Sequence, residues 1–396
     1  MSQDNQQLDA VVIGAGQAGL AAGHYLARAD LRFEILEKDP RVGEVWRRRW
    51  DSLRLFTPAQ HDGLPGRPFP AARNSFPGKG EFADYLEDYA AGLDLPVRTG
   101  VEATRVSRAG GGFIVETPAG TVRASNVIVA AGAHALPRVP GAAGGLDSAI
   151  QQLHSSHYRS PADIPGGDVL VVGAGNSGSE IAMELSGGHR VLLSGRPTPH
   201  VPGPVLRYAG GAYWLFIHSV LTVGTPVGRQ VAADFHRRGA PLLRISRQDL
   251  EAAGVVRVPR LAGTAGGQPV LVGGSPAPVR TVIWATGYRA DLDWIDGLEL
   301  AASGWPATRR GVVPRTPGLY FVGMPFQYAL TSGLIGGVDR DAAYVVKHLA
   351  RRVAGPSVVA PVPEPGNGDG EDRRRRETQD SRGGHPGTQR HGGGHA

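Results

Sequence analysis

The sequence predicts an α/β protein with two Rossmann-like dinucleotide-binding domains and a disordered C-terminal tail. A strand, a glycine-rich turn, a helix and a second strand follow one another twice, over residues 10–38 and again over residues 169–196. Beyond about Pro356 the chain consists of Pro, Gly, His and charged residues, a composition that cannot bury a core. The 396 residues are enough for two or three domains.

The composition narrows the classes of function. The chain has no cysteine, which excludes disulfides, thiolate metal sites and Cys-x-x-Cys redox pairs, and we expect no metal site. The net charge of +6 comes partly from the run Arg373–Arg376 in the predicted tail, so we expect no nucleic-acid partner. The first ten residues are polar and do not resemble a secretory signal.

The most apolar stretch is YWLFIHSVLTV, residues 213–223. It is too short to span a bilayer, so we predict no transmembrane segment. A buried or partner-facing helix is the favoured interpretation, and a patch on a membrane surface is the alternative. We therefore expect a cytoplasmic protein, and a homodimer stays open.

The elements of the first repeat follow from residue type. Ala10–Ile13 is fully apolar, as expected for a buried parallel strand. Gly19–Ala29 supplies the small and apolar residues of a helix packed close to a sheet, and Phe33–Leu36 is the next strand. Residues 40–80 are rich in Pro, Gly and Arg, which predicts irregular structure.

Further elements follow in chain order. Glu81–Ala91 has apolar residues at helical spacing, and Val97–Val129 alternates and turns like a β-meander. After the second repeat, residues 200–250 show no clear pattern. Apolar strands are predicted within 271–288 and 319–323, and an amphipathic helix over Asp339–Val353.

Each repeat carries a Gly-x-Gly-x-x-Gly turn, with Gly14, Gly16 and Gly19 in the first and Gly173, Gly175 and Gly178 in the second. The first glycine allows the tight turn, the second lets the backbone approach a pyrophosphate, and the third lets the helix pack against the strand. The helix N-terminus then offers free N–H groups to the phosphates. The flanking strands and helices make a plain glycine turn the poorer interpretation.

The second strands of the repeats end differently. Glu37 stands twenty-three residues after Gly14, where a carboxylate can accept hydrogen bonds from ribose hydroxyls. Arg196 stands twenty-three residues after Gly173, with Ser194 two residues earlier, and these groups suit a 2′-phosphate. The first site therefore suits FAD or NAD and the second NADPH, while a solvated loop arginine is the alternative for Arg196.

Two sites with opposite ribose preferences indicate a flavoprotein that is reduced by NADPH, with hydride transfer from nicotinamide to flavin. Disulfide reductases share this organisation, but they need a cysteine pair. The remaining motifs resemble the flavin-containing monooxygenases, including their YUCCA-type plant and bacterial members, over roughly residues 8–350. The similar segments are GAGQAG at 14–19, RVGEVWRRR at 41–49, GAGNSGSE at 173–180, ATGY at 285–288 and GMPFQYALTSGLIGGVDRDA at 323–342.

The resemblance implies an FAD-binding domain over residues 8–160 and 285–353, with an NADP-binding domain over 161–284 inserted into it. It also implies cofactor-binding roles for Gly43 and Trp46, which follow the first repeat. The other cofactor-binding residues expected on this basis are Gln17, Ala18, Lys38, Thr57, Gly132, Ser177, Glu180, Thr286, Gly287, Gly323 and Leu334.

The family's identifying stretch, Phe-x-Gly-x-x-x-His-x-x-x-Tyr/Phe, is only half present. His154 and Tyr158 match its second half, whereas Ser148 and Ile150 replace its Phe and Gly. A catalytic role and a linker role are both open for His154. The resemblance further implies catalytic roles for Tyr158 and for Asn176, at the start of the second helix.

Some family members place an asparagine near the flavin, in the segment after the Gly-x-x-Trp motif. LFTPAQ, residues 55–60, has none. Gln60 is the candidate substitute in this position, with a plain turn residue as the alternative.

The resemblance implies the following activity. NADPH reduces FAD, the reduced flavin forms a hydroperoxide with O₂, and one oxygen atom enters a small organic substrate that is apolar or a soft nucleophile. Two alternatives stay open, an FAD-dependent NADPH reductase without oxygenation and a redox-regulatory flavoprotein.

Overall fold

The computed structural model describes residues 7–133, 136–238 and 240–355. The predicted disordered tail, residues 356–396, lies outside these ranges. The strands, numbered in chain order, are β1 (Ala10–Ile13), β2 (Phe33–Glu37), β3 (Val97–Thr99), β4 (Arg105–Ala109), β5 (Gly112–Thr117), β6 (Gly120–Ala124), β7 (Val127–Val129), β8 (Leu136–Pro137), β9 (Gln151–His154), β10 (Val169–Val172), β11 (Val191–Ser194), β12 (Val256–Val258), β13 (Leu261–Ala265), β14 (Gln268–Leu271), β15 (Thr281–Trp284), β16 (Tyr288–Arg289) and β17 (Leu319–Phe321). The α-helices are α1 (Gln17–Arg28), α2 (Glu44–Arg47), α3 (Lys79–Gly92), α4 (Asn176–Leu185), α5 (Gly203–Ser219), α6 (Pro226–Arg238), α7 (Arg247–Ala252) and α8 (Val338–Val353).

The first sheet is fully parallel and has the strand order β17-β7-β1-β2-β3. Its central strand β1 is buried along its whole length, which explains its uninterrupted apolar sequence. Strand β17 comes from the far end of the chain and pairs with β7. The first domain is therefore completed only after the second repeat.

The second sheet is also fully parallel, with the order β12-β11-β10-β15-β9. Strand β9 pairs with β15 from Thr281↔Gln151 to Trp284↔His154. It belongs to this sheet although it precedes residue 161, where the sequence placed the start of the second domain. The two sheets confirm the predicted α/β fold with two Rossmann-like units.

The connection between the two sheets is a short antiparallel pair, β8 with β16, which the chain forms where it leaves and re-enters the first domain. The predicted meander is shorter than expected. Strands β4, β5 and β6 form an antiparallel sheet, whereas β3 and β7 at the ends of the predicted stretch join the parallel sheet. A period-two pattern alone cannot distinguish these two kinds of partner.

The apolar stretch at 213–223 lies at the end of α5 and in the loop that follows it. Ile217 is buried, but Leu215 and Phe216 are 64% and 45% exposed, so the helix is not fully covered. Among the described residues, no helix combines the length and the apolar content needed to cross a membrane.

Candidate functional site

The first glycine turn connects β1 to α1 at the carboxyl end of the first sheet. Gly14 has φ +103°, and a Cβ on it would lie 2.6 Å from the carbonyl oxygen of Ala130 on the neighbouring strand connection. A Cβ on Gly19 would lie 1.8 Å from the carbonyl oxygen of Gly14. Both glycines are thus required by the protein's own backbone, as the turn's sequence predicts.

Gly16 differs from these two glycines. A Cβ on Gly16 would meet no atom of the described protein within 4 Å. The absence of a side chain here is not explained by protein packing, and it leaves the turn open in front of the N-terminus of α1. An open backbone at a helix N-terminus suits a pyrophosphate, so the residues present fit a dinucleotide.

Glu37 ends β2 beside this turn. Its Oε2 accepts a hydrogen bond from the backbone N–H of Ala15 at 2.7 Å, and its Oε1 accepts from the N–H of Asp39 at 3.0 Å. The carboxylate is therefore fixed against the turn, and each oxygen keeps a lone pair for a ribose hydroxyl. Lys38, beside it, is exposed.

The second glycine turn repeats this geometry at the carboxyl end of the second sheet. Gly173 has φ +113°, and a Cβ on it would lie 2.1 Å from the carbonyl oxygen of Ala285. A Cβ on Gly178 would lie 1.8 Å from the carbonyl oxygen of Gly173, and one on Gly175 would meet nothing within 4 Å. Two turns with the same closed and open positions fit two dinucleotides.

At the second turn, on the side where a ribose would bind, the structure shows contacts that the sequence did not indicate. Ser194 is fully buried; its hydroxyl donates to the carbonyl oxygen of Pro259 and accepts from the N–H of Leu261, both at 2.9 Å. This hydroxyl is already used within the protein, whereas Arg196 is exposed.

Arg257 was missed from the sequence, because its strand β12 follows a stretch without readable periodicity. Its Nη2 donates to the carbonyl oxygen of Gly195 at 3.1 Å. Gly195 directly precedes Arg196, so a second guanidinium lies near the backbone of Arg196. Burial lowers the pKa of Arg257, and Arg247 adds to this effect. An added anion would offset this unfavourable charge.

Helix α4 begins at the second turn, and Glu180 on it is linked through Arg244 to the first domain. Asn176 donates its side-chain N–H to the carbonyl oxygen of Pro241 at 3.2 Å. Glu180 forms an ion pair with Arg244 at 3.3 Å, and burial raises the pKa of Glu180 to about 7. Arg244 also donates to the carbonyl oxygen of Arg54 at 3.3 Å, so it links the two domains. Ser177 is partly buried at the helix start.

The segment after β2 positions a tryptophan between the two cores. Gly43 has φ +82°, and a Cβ on it would lie 2.6 Å from the carbonyl oxygen of Ala83 on α3. The ring of Trp46 packs edge-on against Phe82, with the ring centroids 4.9 Å apart. Trp46 also contacts the buried cluster of the second domain, so both domains meet at this side chain.

Thr57 and Gln60 have different partners. Thr57 is buried, and its hydroxyl donates to the carboxylate of Asp62. Burial raises the pKa of Asp62 to about 7, and the Thr57 hydrogen bond opposes this shift. Gln60 pairs with Asn74, donating to its side-chain oxygen at 2.9 Å and accepting from its backbone N–H at 2.7 Å. No sequence pattern distinguishes Asp62, because it lies in an irregular segment.

The C-terminal segment returns to the first turn. Gly323 has φ +86°, and a Cβ on it would lie 2.7 Å from the Cβ of Ala18, on the first turn of α1 next to Gln17. Leu334 is partly buried ahead of α8, and Gly132, with φ +82°, is exposed after β7. The carboxyl ends of β7, β17 and β1 therefore lie at the same edge of the first sheet.

His154 and its neighbours lie at the connection between the domains rather than at either glycine turn. Nε2 of His154 is 3.0 Å from the carbonyl oxygen of Gly287, and Thr286 donates its hydroxyl to the carbonyl oxygen of Arg138. Burial lowers the pKa of His154. Tyr158 is fully buried in the core of the second domain and donates to Glu184 at 2.9 Å.

The structure therefore places the predicted residues around the turn at Gly14–Gly19, here called the first cradle, around the turn at Gly173–Gly178, the second cradle, and at the connection between the domains. Within the described ranges, no cluster of three or more His, Asp or Glu side chains is arranged to hold a metal ion. The catalytic roles predicted for His154, Tyr158, Asn176 and Gln60 stay predictions.

Comparison with known proteins agrees with these cradles. The family model for pyridine nucleotide-disulphide oxidoreductases matches residues 11–200, which contain both glycine turns. Because the chain has no cysteine, this match concerns nucleotide binding and not thiol chemistry.

The relatives extend the likeness to the whole described fold. A CzcO-like oxidoreductase of Geobacillus kaustophilus is 37% identical over 345 residues, which cover 86% of this chain and 98% of the relative. The indole-3-pyruvate monooxygenase YUCCA4 of Oryza sativa subsp. japonica is 29% identical over 390 residues, covering 87% of this chain and 88% of that protein. The structure of a flavin-containing monooxygenase from Stenotrophomonas maltophilia superposes with a TM-score of 0.69 at 28% identity, over 87% of this chain and 98% of that one.

Proposed function

The chain belongs to the flavin-containing monooxygenase family, whose members are oxidoreductases that use FAD and NADP, and we propose that it holds FAD at its first glycine turn and NADPH at its second. The observation that supports two dinucleotide sites is the pair of open glycines, Gly16 and Gly175, set in otherwise closed turns, and the assignment of each cofactor to its turn rests on charge. The two turns differ in the charge at their ribose ends. Glu37 is bonded to the first turn, whereas Arg257 contacts Gly195, the residue before the exposed Arg196, at the end of β11 in the second repeat.

The residues of the first cradle would act by binding and orienting. The N–H groups at the start of α1 would receive the pyrophosphate, and Glu37 would accept from ribose hydroxyls. Gly43 lets its segment approach α3 closely and Gly323 lets its segment approach α1, and the two segments would close the cradle from two sides. When bound, FAD would supply hydride acceptance and O₂ activation, chemistry that no side chain of this protein provides.

The second cradle would determine whether NADPH or NADH is the preferred reductant. A 2′-phosphate carries negative charge that two guanidinium groups can neutralise, whereas Glu37 would repel it at the first turn. Arg244 holds Glu180 and the carbonyl oxygen of Arg54, so the second turn is kept against the first domain. This linkage would orient the nicotinamide toward the flavin.

We further propose that the enzyme transfers one oxygen atom of O₂ to a small organic substrate that is apolar or a soft nucleophile, and the other to water. A cysteine-free interior offers no thiol to be oxidised during this reaction. The alternative, an NADPH reductase without oxygenation, is favoured by Ser148 and Ile150, which depart from the family's identifying stretch.

One experiment separates these activities. The flavin-loaded protein is reduced anaerobically with NADPH, oxygen is admitted without substrate, and the flavin spectrum is followed. A transient absorbing species distinct from oxidised and reduced flavin supports oxygen transfer. Direct return to the oxidised spectrum with stoichiometric peroxide release supports the reductase, and no reduction by NADPH contradicts both activities.

A further inference from the structure

A cavity of about 450 Å³ lies between residues 303–310 and 324–328, beside Val223 and Gly224. None of its lining residues belongs to a glycine turn. Its wall combines apolar side chains with polar ones, among them Trp305, Pro306, Met324, Phe326, Arg309 and Arg310. Met324 directly follows Gly323, which packs against Ala18 of α1, so the cavity begins one residue from the first cradle.

Arg310 occupies a position that does not favour it. Arg309 and Val312 exchange backbone hydrogen bonds of 2.9 and 3.1 Å, which makes Arg310 and Gly311 the two central residues of a tight turn. Both have positive φ, +53° and +84° respectively. Gly, Asn and Asp are the usual residues at such positions, and a long side chain there is strained.

Two aromatic rings hold the strained arginine in place. Cζ of Arg310 lies 3.9 Å from the ring centroid of Tyr328 and 4.0 Å from that of Tyr344. The ring of Tyr328 also contacts a second arginine, because Cζ of Arg340 lies 4.5 Å from its centroid. The guanidinium of Arg310 is therefore oriented by stacking, and its buried Nε has no hydrogen-bond partner among the described residues.

The charge at this wall is not balanced. Among the described residues, neither the Arg309 nor the Arg310 guanidinium forms an ion pair or a hydrogen bond. The residues that line the cavity include these two arginines and no acidic residue; Asp341, which Arg340 and Arg310 influence, is fully buried, and burial raises its pKa. Burial also lowers the pKa of Arg340, to which Arg310 contributes. The cavity wall thus has an excess of positive charge.

We propose that this cavity binds an organic acid, with its carboxylate on Arg309 and Arg310 and its apolar body against Trp305, Met324 and Phe326. A guanidinium pairs with a carboxylate through two parallel hydrogen bonds, which stacking between tyrosine rings leaves free. The apolar lining distinguishes such an acid from inorganic anions. This inference goes beyond the proposed function, because it concerns binding alone.

The test uses the purified flavin-loaded protein without NADPH, so its result does not depend on oxygen transfer. Isothermal titration calorimetry compares phenylacetate with phenylacetamide, which has the same shape but no charge. We expect phenylacetate to bind at least about tenfold more tightly than phenylacetamide, the difference of one charge-assisted hydrogen bond. Equal affinities would overturn the proposal.

Variants locate the site. Arg310→Asn suits the positive φ of the turn and so keeps the fold, and Arg309→Ala changes an exposed side chain. We expect each to weaken phenylacetate binding about tenfold or more, whereas the control Arg315→Ala, which removes an exposed arginine paired with Glu299, should not. Unchanged binding in both cavity variants would overturn the proposal, as would inorganic phosphate that competes as strongly as phenylacetate.

Discussion

Nε2 of His154 lies 3.0 Å from the carbonyl oxygen of Gly287, so the end of β9 is bonded to the segment that leads back to the first domain. Because a carbonyl oxygen only accepts, Nε2 carries the proton. Nδ1 is then free to accept from the N–H of Ser156 at 3.2 Å. The hydroxyl of Ser156, 2.9 Å from Nδ1, can donate to it as well, so His154 is bonded as a neutral imidazole, and a proton on Nδ1 would break the hydrogen bond from the Ser156 N–H.

This arrangement predicts a pH-dependent structural role for His154. Its folded-state pKa is below the ordinary value of 6.5, so its stabilising contribution is present above pH 6.5 and is lost as the pH falls below it. We expect His154→Ala to lower the free energy of unfolding by about 1–3 kcal/mol at pH 8, and by less at pH 5. Thermal unfolding at the two pH values measures this.

The exposed neighbour His157 provides the control, and His157→Ala should leave both transitions unchanged. A His154→Ala protein with full stability but no oxygen transfer would contradict the linker role and favour the catalytic one.

The two open glycines predict that substitution of each one prevents the binding of one cofactor only. A Cβ at position 16 or 175 would meet no atom of the described protein within 4 Å, and both positions have a negative φ, so we expect both variants to fold. We expect Gly16→Val to be colourless because the side chain occupies the pyrophosphate position, whereas Gly175→Val should keep its flavin and lose reduction by NADPH. Flavin absorbance and stopped-flow reduction distinguish the two. A yellow Gly16→Val protein would refute the assignment of FAD to the first turn.

The two guanidiniums at the second turn predict the preference for NADPH over NADH. Removing one charged hydrogen-bond donor from a 2′-phosphate should raise the KM for NADPH on the order of tenfold. Arg196→Ala should show this effect with little change in the KM for NADH. Arg190→Ala removes a 65%-exposed arginine paired with Asp168, and should change neither. Equal increases for both nucleotides in Arg196→Ala would refute a 2′-phosphate site.

The sequence predicted the elements whose residues face the same environment along their whole length. Strands β1, β10 and β15 are buried throughout and read as apolar runs, and the closed glycines are required by backbone contacts that recur in both turns. Strand β9 has buried and exposed residues without strict alternation, which hid its place in the second sheet.

The residues that the sequence did not reveal depend on contacts between distant segments. Arg257 on β12 reaches Gly195 at the end of the neighbouring strand β11, although 62 residues separate them in the chain, and Arg244 reaches Arg54 across the domains. Ser194 shows the reverse case. Its spacing suits a ribose contact, but two backbone groups near Pro259 already use its hydroxyl. The spacing of residues along the chain predicts the position of a side chain in the fold, but it does not predict its hydrogen-bond partners.

The raised pKa of the buried Asp62 carboxyl predicts that the free energy of unfolding decreases as the pH rises. Burial raises its folded-state pKa from 3.8 to about 7, so the folded protein binds this proton more tightly than the unfolded chain does. Between pH 4 and pH 7 the unfolded state releases the proton first, and the protein loses stability as the pH rises. A shift of this size corresponds to roughly 2–4 kcal/mol at pH 8.

Asp62→Asn has nearly the same shape and cannot be ionised. We expect the variant to match the original protein at pH 4 and to be more stable at pH 8, by up to the same few kcal/mol, in chemical denaturation. Asp88→Asn, an exposed position on α3, is the matched control and should not change the pH dependence. If Asp62→Asn is less stable than the original protein at pH 8, the carboxylate is charged and stabilised in the folded state. The Thr57 hydrogen bond would then outweigh burial.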